Sequence, residues 1–421
     1  MSSNAPEHRA AFVGVTTLFF AWGFITAMID PLIPAVRAIF TLSRAESTLT
    51  QSAFFLSYAI VSLPAAALVA RRGYAASILY ALAGMLAGCV LMLVATHLAR
   101  YALVLTALFV IGSGITVLQV AANPLAAALG TAARSHFRLT LSQAFNSLGT
   151  VVAPFLGATL MLRGGVFAAD ATHSEATRDA SLRNVDLSFL VIAGLIALLA
   201  VFVAVSRARL TAAAPQDRAA NASVLPALRC RWAMLGAVAI FLYVGAEVSI
   251  GSIMIFYLNQ PSVLDVSFEK AGHLLSLYWL GAMVGRFAGS ALLTRMPAAR
   301  LTLGATLTAA LLCVVVMFSG GWLGAGAAIA IGLCNSILFP TIFTLTLERS
   351  SAGPAATSGL LCMAIVGGAV LPRIAGTLSD RNIDAAFIVP ALAYALIAIF
   401  AFAAANARPA AFATSTPRSG H

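Results

Sequence analysis

FFAWGFITAMIDPLIP, residues 19–34, carries a single ionisable group, Asp30, inside an apolar run that extends from about residue 11 to about residue 37. A run of more than about 20 apolar residues is long enough to cross the roughly 30 Å hydrocarbon layer of a bilayer as a helix. An ionised Asp in the middle of such a helix costs roughly 2.5–3.5 kcal/mol on insertion scales, so it is seldom left facing lipid. The stretch therefore reads as a membrane helix that meets other protein, not lipid, at Asp30.

The same pattern recurs outward from this helix. Apolar runs cover approximately residues 47–70, 75–98, 101–129, 138–163, 187–206, 231–258, 271–294, 301–319, 322–348, 354–378 and 384–405, which with the first makes twelve spans. They are continuous, without the alternation over about 10 residues that marks a barrel strand, so a β-barrel is excluded. Of the 421 residues, 61% are hydrophobic and 9% charged, against roughly 45–50% and 25% in soluble proteins, which leaves no room for a large soluble domain. The expected fold is an all-α membrane protein of twelve transmembrane helices in two pseudo-symmetric six-helix halves. Met1–Ala10 lacks a strongly basic region and no cleavage site follows, so the first span reads as a retained helix and not a signal peptide.

The polar break at Arg207–Arg229 divides the chain into an N-terminal half at 1–206, a linker at 207–230, a C-terminal half at 231–407 and a tail at 408–421. Placing the N-terminus inside puts most arginines, among them Arg71, Arg72, Arg207, Arg209, Arg295 and Arg300, on the cytoplasmic side. This orientation follows the positive-inside rule, and with an even number of spans it puts both termini in the cytoplasm. The net charge of +11 is then explained by the lipid surface and not by nucleic acid, since Lys270 is the only lysine and the arginines form no stripe. Five cysteines, mostly within apolar runs, form neither a CxxC metal pair nor a disulfide framework.

Traces of a repeat relate the halves. Gly149 and Gly157 flank Pro154 in span 5, and Gly368 and Gly376 flank Pro372 in span 11. Spans 4 and 10 each hold an Asn and a later Pro, in AANPLAAALG (121–130) and CNSILFPTIF (334–343). Related halves around a midplane site are the arrangement of many secondary transporters.

Only Asp30 in span 1 and Glu247 in span 7 are carboxylates deep within a span, and neither helix offers Arg or Lys one turn away. A carboxyl that alternately faces two solutions can gain and lose a proton, because desolvation favours its neutral form and water its charged one. Pro31 and Pro34 beside Asp30 remove backbone donors and expose polar groups there. Amides come next: Gln119 and Asn123 in span 4, Gln143 and Asn146 in span 5, Asn335 in span 10, and Gln51 in span 2. One intramembrane amide is explained by an interhelical hydrogen bond of about 0.6 kcal/mol, but the cluster in spans 4 and 5 points to a cavity. A carboxamide both donates and accepts, which suits the vicinal hydroxyls of a sugar. Trp22, Tyr58 and Phe339 are expected to stack on the ring, with Phe145, Tyr243, Tyr278 and Trp279 as further aromatic candidates. No GxSxG elbow, HExxH, phosphate loop or Cys/His cluster is present, so neither an enzyme nor an ATP-driven pump is expected.

Seven segments carry a resemblance: FFAWGFITAMIDPLIP, TQSAFFLSYAIVSLPAA, LQVAANPLAAALG, SHFRLTLSQAFNSLG, YVGAEVSIGS, GRFAGSALLTR and NSILFPTIFTL. Spread over about residues 15–380, they make the chain resemble the major facilitator superfamily and, within it, the fucose/proton symporter family. The resemblance implies proton coupling at the span 1 acid, matched by Asp30, and a cavity role for Asn146 in the QxFNS segment. Where the fucose permease branch has an acid in span 4 and an amide in span 7, this chain has Gln119 and Glu247, as in the glucose/galactose transporter branch. ALVARRG, after span 2, lacks the Asp usual in the superfamily's loop.

The expectation is a multi-pass inner-membrane symporter that takes up a hexose such as glucose or galactose by alternating access, working as a monomer without a cofactor. Asp30 and Glu247 couple the ion, and Glu247 also meets the sugar. Protons are the favoured ion, with sodium left open because carboxylates and carbonyls serve both. The alternatives are an exporter or antiporter of amphipathic compounds on the same fold, and a sugar sensor that does not transport.

Overall fold

The computed structural model describes residues 5–128, 135–168, 174–213, 225–293, 295–352 and 354–407. The described chain is almost wholly helical. Eleven helical segments are long and apolar enough to cross a membrane: Val13–Phe40, Arg44–Val69, Tyr74–His97, Tyr101–Ala122, Leu141–Met161, Glu175–Val205, Arg231–Leu258, Ala298–Phe318, Gly321–Arg349, Ala356–Arg381 and Ala385–Asn406. These are spans 1–7 and 9–12. Span 8 is the 26-residue helix Phe268–Leu293, long enough to cross but made less apolar by His273 and Arg286. Outward-facing Leu198, Val201, Val205, Phe318 and Ile399 are all more than half exposed, the surface that lipid covers.

Span 6 starts at Glu175, well before the apolar run expected from residue 187. Its first turns, EATRDASLRNVD, are polar but helical, because Ser174 and Thr177 form a reciprocal capping box that satisfies the first free N–H groups. Hydropathy marks the lipid-embedded part of a helix and misses such an extension. Of the connection between spans 6 and 7, short helices cover Arg207–Ala213 and Leu225–Leu228; the tail at 408–421 lies outside the described residues.

Three spans are broken, each near proline. Span 1 consists of helices Ala5–Ala27 and Ile29–Phe40, interrupted at Met28, three residues before Pro31. Span 10 consists of Gly321–Asn335 and Leu338–Arg349, with Pro340 in the second piece. Span 11 passes through a 3₁₀ turn at Ala364–Val366 before Pro372. Each proline lacks the N–H that would bond four residues back, so the ladder opens close to it.

Spans 1 and 7 occupy the centre, with 83% and 78% of their apolar windows buried inside the protein against 28–56% for the other scored spans. Close approach of backbones holds them. Gly149 of span 5 sits on span 1, where a Cβ would come within 2.3 Å of the Phe20 carbonyl oxygen, and Gly367 of span 11 sits on span 7, at 1.9 Å from that of Phe241. Small residues at such crossings let membrane helices pack tightly. The structural equivalents are thus Gly149 and Gly367; Gly368 and Gly376, which match Gly149 and Gly157 in spacing, turn instead toward Phe55 and Thr48 of span 2.

Hydrogen bonds joining spans 1–6 to spans 7–12 run from the bundle middle to the end that carries connections 41–43 and 382–384. There the Asp380 carboxylate accepts the backbone N–H groups of Arg44 at 2.6 Å and Ala45 at 3.1 Å, while the Arg44 guanidinium donates to the Ser379 carbonyl. The Phe256 ring lies near both Arg37 and Arg44, at 5.5 and 5.9 Å. Ser52 donates to the Ala369 carbonyl at 2.6 Å, and His273 meets Thr159 at 2.9 Å and stacks on Phe155 at 4.2 Å. This end is sealed.

Candidate functional site

Asp30 lies at the break of span 1, 3% exposed, on the seam between the two halves. Its Oδ1 accepts from Gln51 Nε2 of span 2 at 3.0 Å, and its Oδ2 accepts from the Trp279 indole of span 8 at 3.1 Å. Both donors are neutral. Across the seam stands Gly251 of span 7, whose added Cβ would lie 3.2 Å from Oδ1. Aligning Phe20 with Phe241, the two residues that receive equivalent glycines, makes Gly251 the counterpart of Asp30. One central helix supplies the acid and the other the space beside it.

Glu247, one turn before Gly251, is half-buried and lies within electrostatic range of Asp30. Its Oε1 accepts from Tyr243 Oη at 2.8 Å, and its backbone carbonyl accepts from Tyr278 Oη at 3.2 Å. Tyr243 lies one turn earlier on the same helix, so its phenol reaches up the face to the carboxylate. Asn335 completes this network at the break of span 10. Its Nδ2 donates to Tyr278 Oη at 2.7 Å, its Oδ1 accepts from Tyr394 Oη at 2.7 Å, and its carbonyl faces Tyr243 Oη at 3.3 Å. With both ends of its amide engaged and 1% exposure, Asn335 is a buried hub for three tyrosines and not an accessible wall of the cavity.

In spans 1–6, Gln119 donates to Tyr58 Oη at 2.5 Å, and the Trp22 indole also reaches that hydroxyl. Gln119 and Trp22 are half-buried, while Tyr58 is buried and stacks on Phe55 at 5.7 Å. Asn146 donates to the Phe19 carbonyl at 3.0 Å and packs so closely on Gly23 that a Cβ there would be 2.2 Å from the Asn146 carbonyl oxygen. Its side chain ties span 5 to span 1. Gln143 is half-buried one turn before Ser147, whose hydroxyl donates to the Gln143 carbonyl at 3.0 Å. Phe339 is half-buried with its ring 6.3 Å from that of Tyr243. The Asn123 side chain lies outside the described residues.

Half-buried polar and aromatic side chains from spans 1, 4, 7 and 8, namely Trp22, Gln119, Glu247, Trp279 and Arg286, thus border the centre of an otherwise packed bundle. Carboxylates, amides, phenols and indoles converge there, a set that can hydrogen-bond hydroxyls and cover the apolar face of a ring. Arg286 was not among the candidates read from sequence. It donates to Ser147 Oγ across the seam and lies within electrostatic range of Glu247. The available signal was its place well inside a 26-residue helix, where an arginine is costly unless partnered. Gly251 carries no comparable signal, because a glycine in a membrane helix is common.

A family model described as Major Facilitator Superfamily matches residues 12–359. A Brucella abortus biovar 1 (strain 9-941) protein named glucose/galactose transporter is 40% identical over 406 residues, covering 95% of each chain. The L-fucose-proton symporter of Escherichia coli (strain K12) is 32% identical over 413 residues, covering 93% of this chain and 92% of that one. A crystal structure of a major facilitator transporter, FucP, in the outward conformation matches with a TM-score of 0.69 at 28% identity, covering 94% of this chain and 99% of that one.

Proposed function

This chain belongs to the major facilitator superfamily, and from that premise we propose that it takes up a hexose, glucose or galactose, together with a proton, by rocking its two halves about the central site. It is a transporter and not an enzyme, as its relatives are. The observation that carries the proton is Asp30, an acid buried on the seam and held by one neutral donor from each half. Burial with only neutral side chains in hydrogen-bond contact favours the neutral acid, whereas water admitted when the seam opens favours the carboxylate, to which the two donors also bond, so protonation and closure favour each other.

The sugar contacts Glu247, Gln119, Trp22 and Phe339, with Gln143 at the margin of the cavity. Tyr58 acts on the sugar through the Gln119 and Trp22 side chains it holds in place, and Asn146 by fixing span 5 against span 1. The relative named glucose/galactose transporter is 40% identical against 32% for the L-fucose-proton symporter, which supports a hexose other than fucose. With the N-terminus in the cytoplasm, the sealed end is the outer one. The chain works in the inner membrane with both termini cytoplasmic, its halves joined at 207–230. Each monomer contains a complete site.

Reconstituted in liposomes, the protein accumulates labelled glucose or galactose when a pH gradient, acid outside, is imposed, and a sodium gradient at equal pH does not replace it. Accumulation on sodium alone would assign the coupling to that ion; exchange of no hexose in a counterflow panel would remove sugar as the substrate.

A further inference from the structure

Span 8 presents different residues to its two neighbours. Gly281, Gly285 and Gly289 approach span 10 at Leu333, Ser336 and Ile337. Gly272, Trp279 and Arg286, spaced seven apart and so on one helix face, turn to the other half, where they meet Ala158, Asp30 and Ser147. Two side-chain donors two turns apart on this face thus address spans 1 and 5. Trp279 has no charge to exchange. Arg286 has.

We propose, on the reading of proton-coupled sugar movement given above, that Arg286 is a positioning residue shared between Ser147 of the first half and the Glu247 carboxylate of the second, its hold on Ser147 set by the charge on Glu247. A guanidinium carries five N–H donors in a rigid fork and keeps its charge at every physiological pH, so it can bond a hydroxyl and face a carboxylate at once. Ser147 is ready as an acceptor, because its own proton is committed to the Gln143 carbonyl at 3.0 Å. The charged and titratable groups facing Glu247 are Tyr243 on its own helix, Tyr278 and Arg286 on span 8, Asp30 on span 1 and Tyr394 on span 12. Arg286 is the cation in this set, and the tyrosines are neutral phenols near pH 7.

When Glu247 carries a proton, the guanidinium has its stronger partner in Ser147 and clasps spans 5 and 8 together. When Glu247 releases that proton to the water of the open side, the new carboxylate draws the guanidinium toward span 7. Attraction is then moved from between the halves to within one half, and the seam loosens. The same shift clears a sugar hydroxyl from Glu247, so proton release and sugar release go together.

The test uses the full-length protein in proteoliposomes, with labelled galactose and glucose as probes and counterflow measured across about pH 5.5–8.5. Removing a cation whose charge favours the ionised form of a carboxyl moves that titration toward alkaline pH, by about a unit or more at close range. Arg286→Gln should therefore displace the pH profile of exchange by at least about one unit toward alkaline pH and abolish accumulation on a pH gradient. Arg286→Lys keeps the charge and loses the fork, so its pH profile should stay while turnover falls. Ser147→Ala should slow turnover with KM and pH profile unchanged. A wild-type pH profile and full accumulation in Arg286→Gln would overturn the proposal. If Arg286→Gln does not insert, the Glu247→Gln/Arg286→Gln pair, which removes both charges, should restore insertion; failure of the pair to do so would make Arg286 a packing residue. If the wild-type protein shows no pH-driven uptake of either sugar, the proton-coupled reading itself fails first and takes this inference with it.

Discussion

Asp30 takes one hydrogen bond from Gln51 of its own half and one from Trp279 of the other. Asp30→Asn keeps the shape of the side chain and fixes it neutral. It should abolish accumulation on a pH gradient while hexose counterflow, which needs no net proton movement, persists at a measurable rate; accumulation equal to wild type would remove Asp30 from coupling. Glu247→Gln keeps size but weakens the acceptor, since bonds to a carboxylate are about twice as strong as those to a neutral group. Its hexose affinity should fall on the order of 5- to 150-fold, equivalent to roughly 1–3 kcal/mol, as read by counterflow KM, and wild-type affinity with an unaltered pH dependence would leave Glu247 a packing role. These two acids were legible in the sequence because a charge in an apolar run has no other explanation than a polar neighbour. Their partners were not. Trp279 lies 249 positions from Asp30 in the chain, and nothing local to either residue marks the pair.

At the scale of the helix, the sequence located the spans and missed what their faces do. Span 7, expected at 231–258, is the helix Arg231–Leu258, because Arg231 marks its start and Glu247 is the one charge inside an otherwise apolar run. Span 6 begins earlier than its hydropathy suggests, for the reason its cap supplies. Spacing alone paired Gly149 with Gly368, whereas packing pairs it with Gly367; a one-residue shift turns a helix by about 100° and points a glycine at a different neighbour. Gly251 follows from this geometry. Gly251→Val would push its side chain into the Asp30 carboxyl, and pH-driven uptake should be lost, while Gly84→Val in span 3, with open space around it, should transport normally. Uptake retained in Gly251→Val would contradict the contact. Asn335→Ala leaves the buried phenols of Tyr278 and Tyr394 short of a partner, while the backbone carbonyl facing Tyr243 remains, so it should lower thermal stability by about 1–3 kcal/mol, measured by the melting temperature in detergent. A change confined to sugar affinity, with stability intact, would return Asn335 to the cavity wall.

Across the whole molecule, one end is closed by contacts that neither half can make alone. Asp380 caps the start of span 2 with two backbone hydrogen bonds and faces the Arg44 side chain. Asp380→Ala removes a charged acceptor from that seal and should shift the population toward the state open on this side. In a Cys362→Ser background, a membrane-impermeant maleimide should then label Thr48→Cys several-fold faster than with Asp380 in place, since Thr48 is buried beneath the seal at 1% exposure; equal rates would mean the seal does not hold this state. The helix count and the two-half plan were readable from hydropathy and the polar break, as the family fold bears out. The seal was not, because it joins a turn near residue 44 to one near residue 380 through backbone groups that leave no trace in side-chain pattern.

The account turns on a proton moving with the sugar through Asp30, and simultaneous recording of both fluxes tests that most directly. Proteoliposomes in weakly buffered medium receive galactose or glucose with no imposed gradient, and external pH is followed together with labelled sugar uptake. Wild-type protein should alkalinise the medium as sugar enters, in constant proportion to it, and Asp30→Asn should exchange sugar with no pH change. Sugar entry by the wild type without alkalinisation, or a wild-type proton signal in Asp30→Asn, would contradict the account.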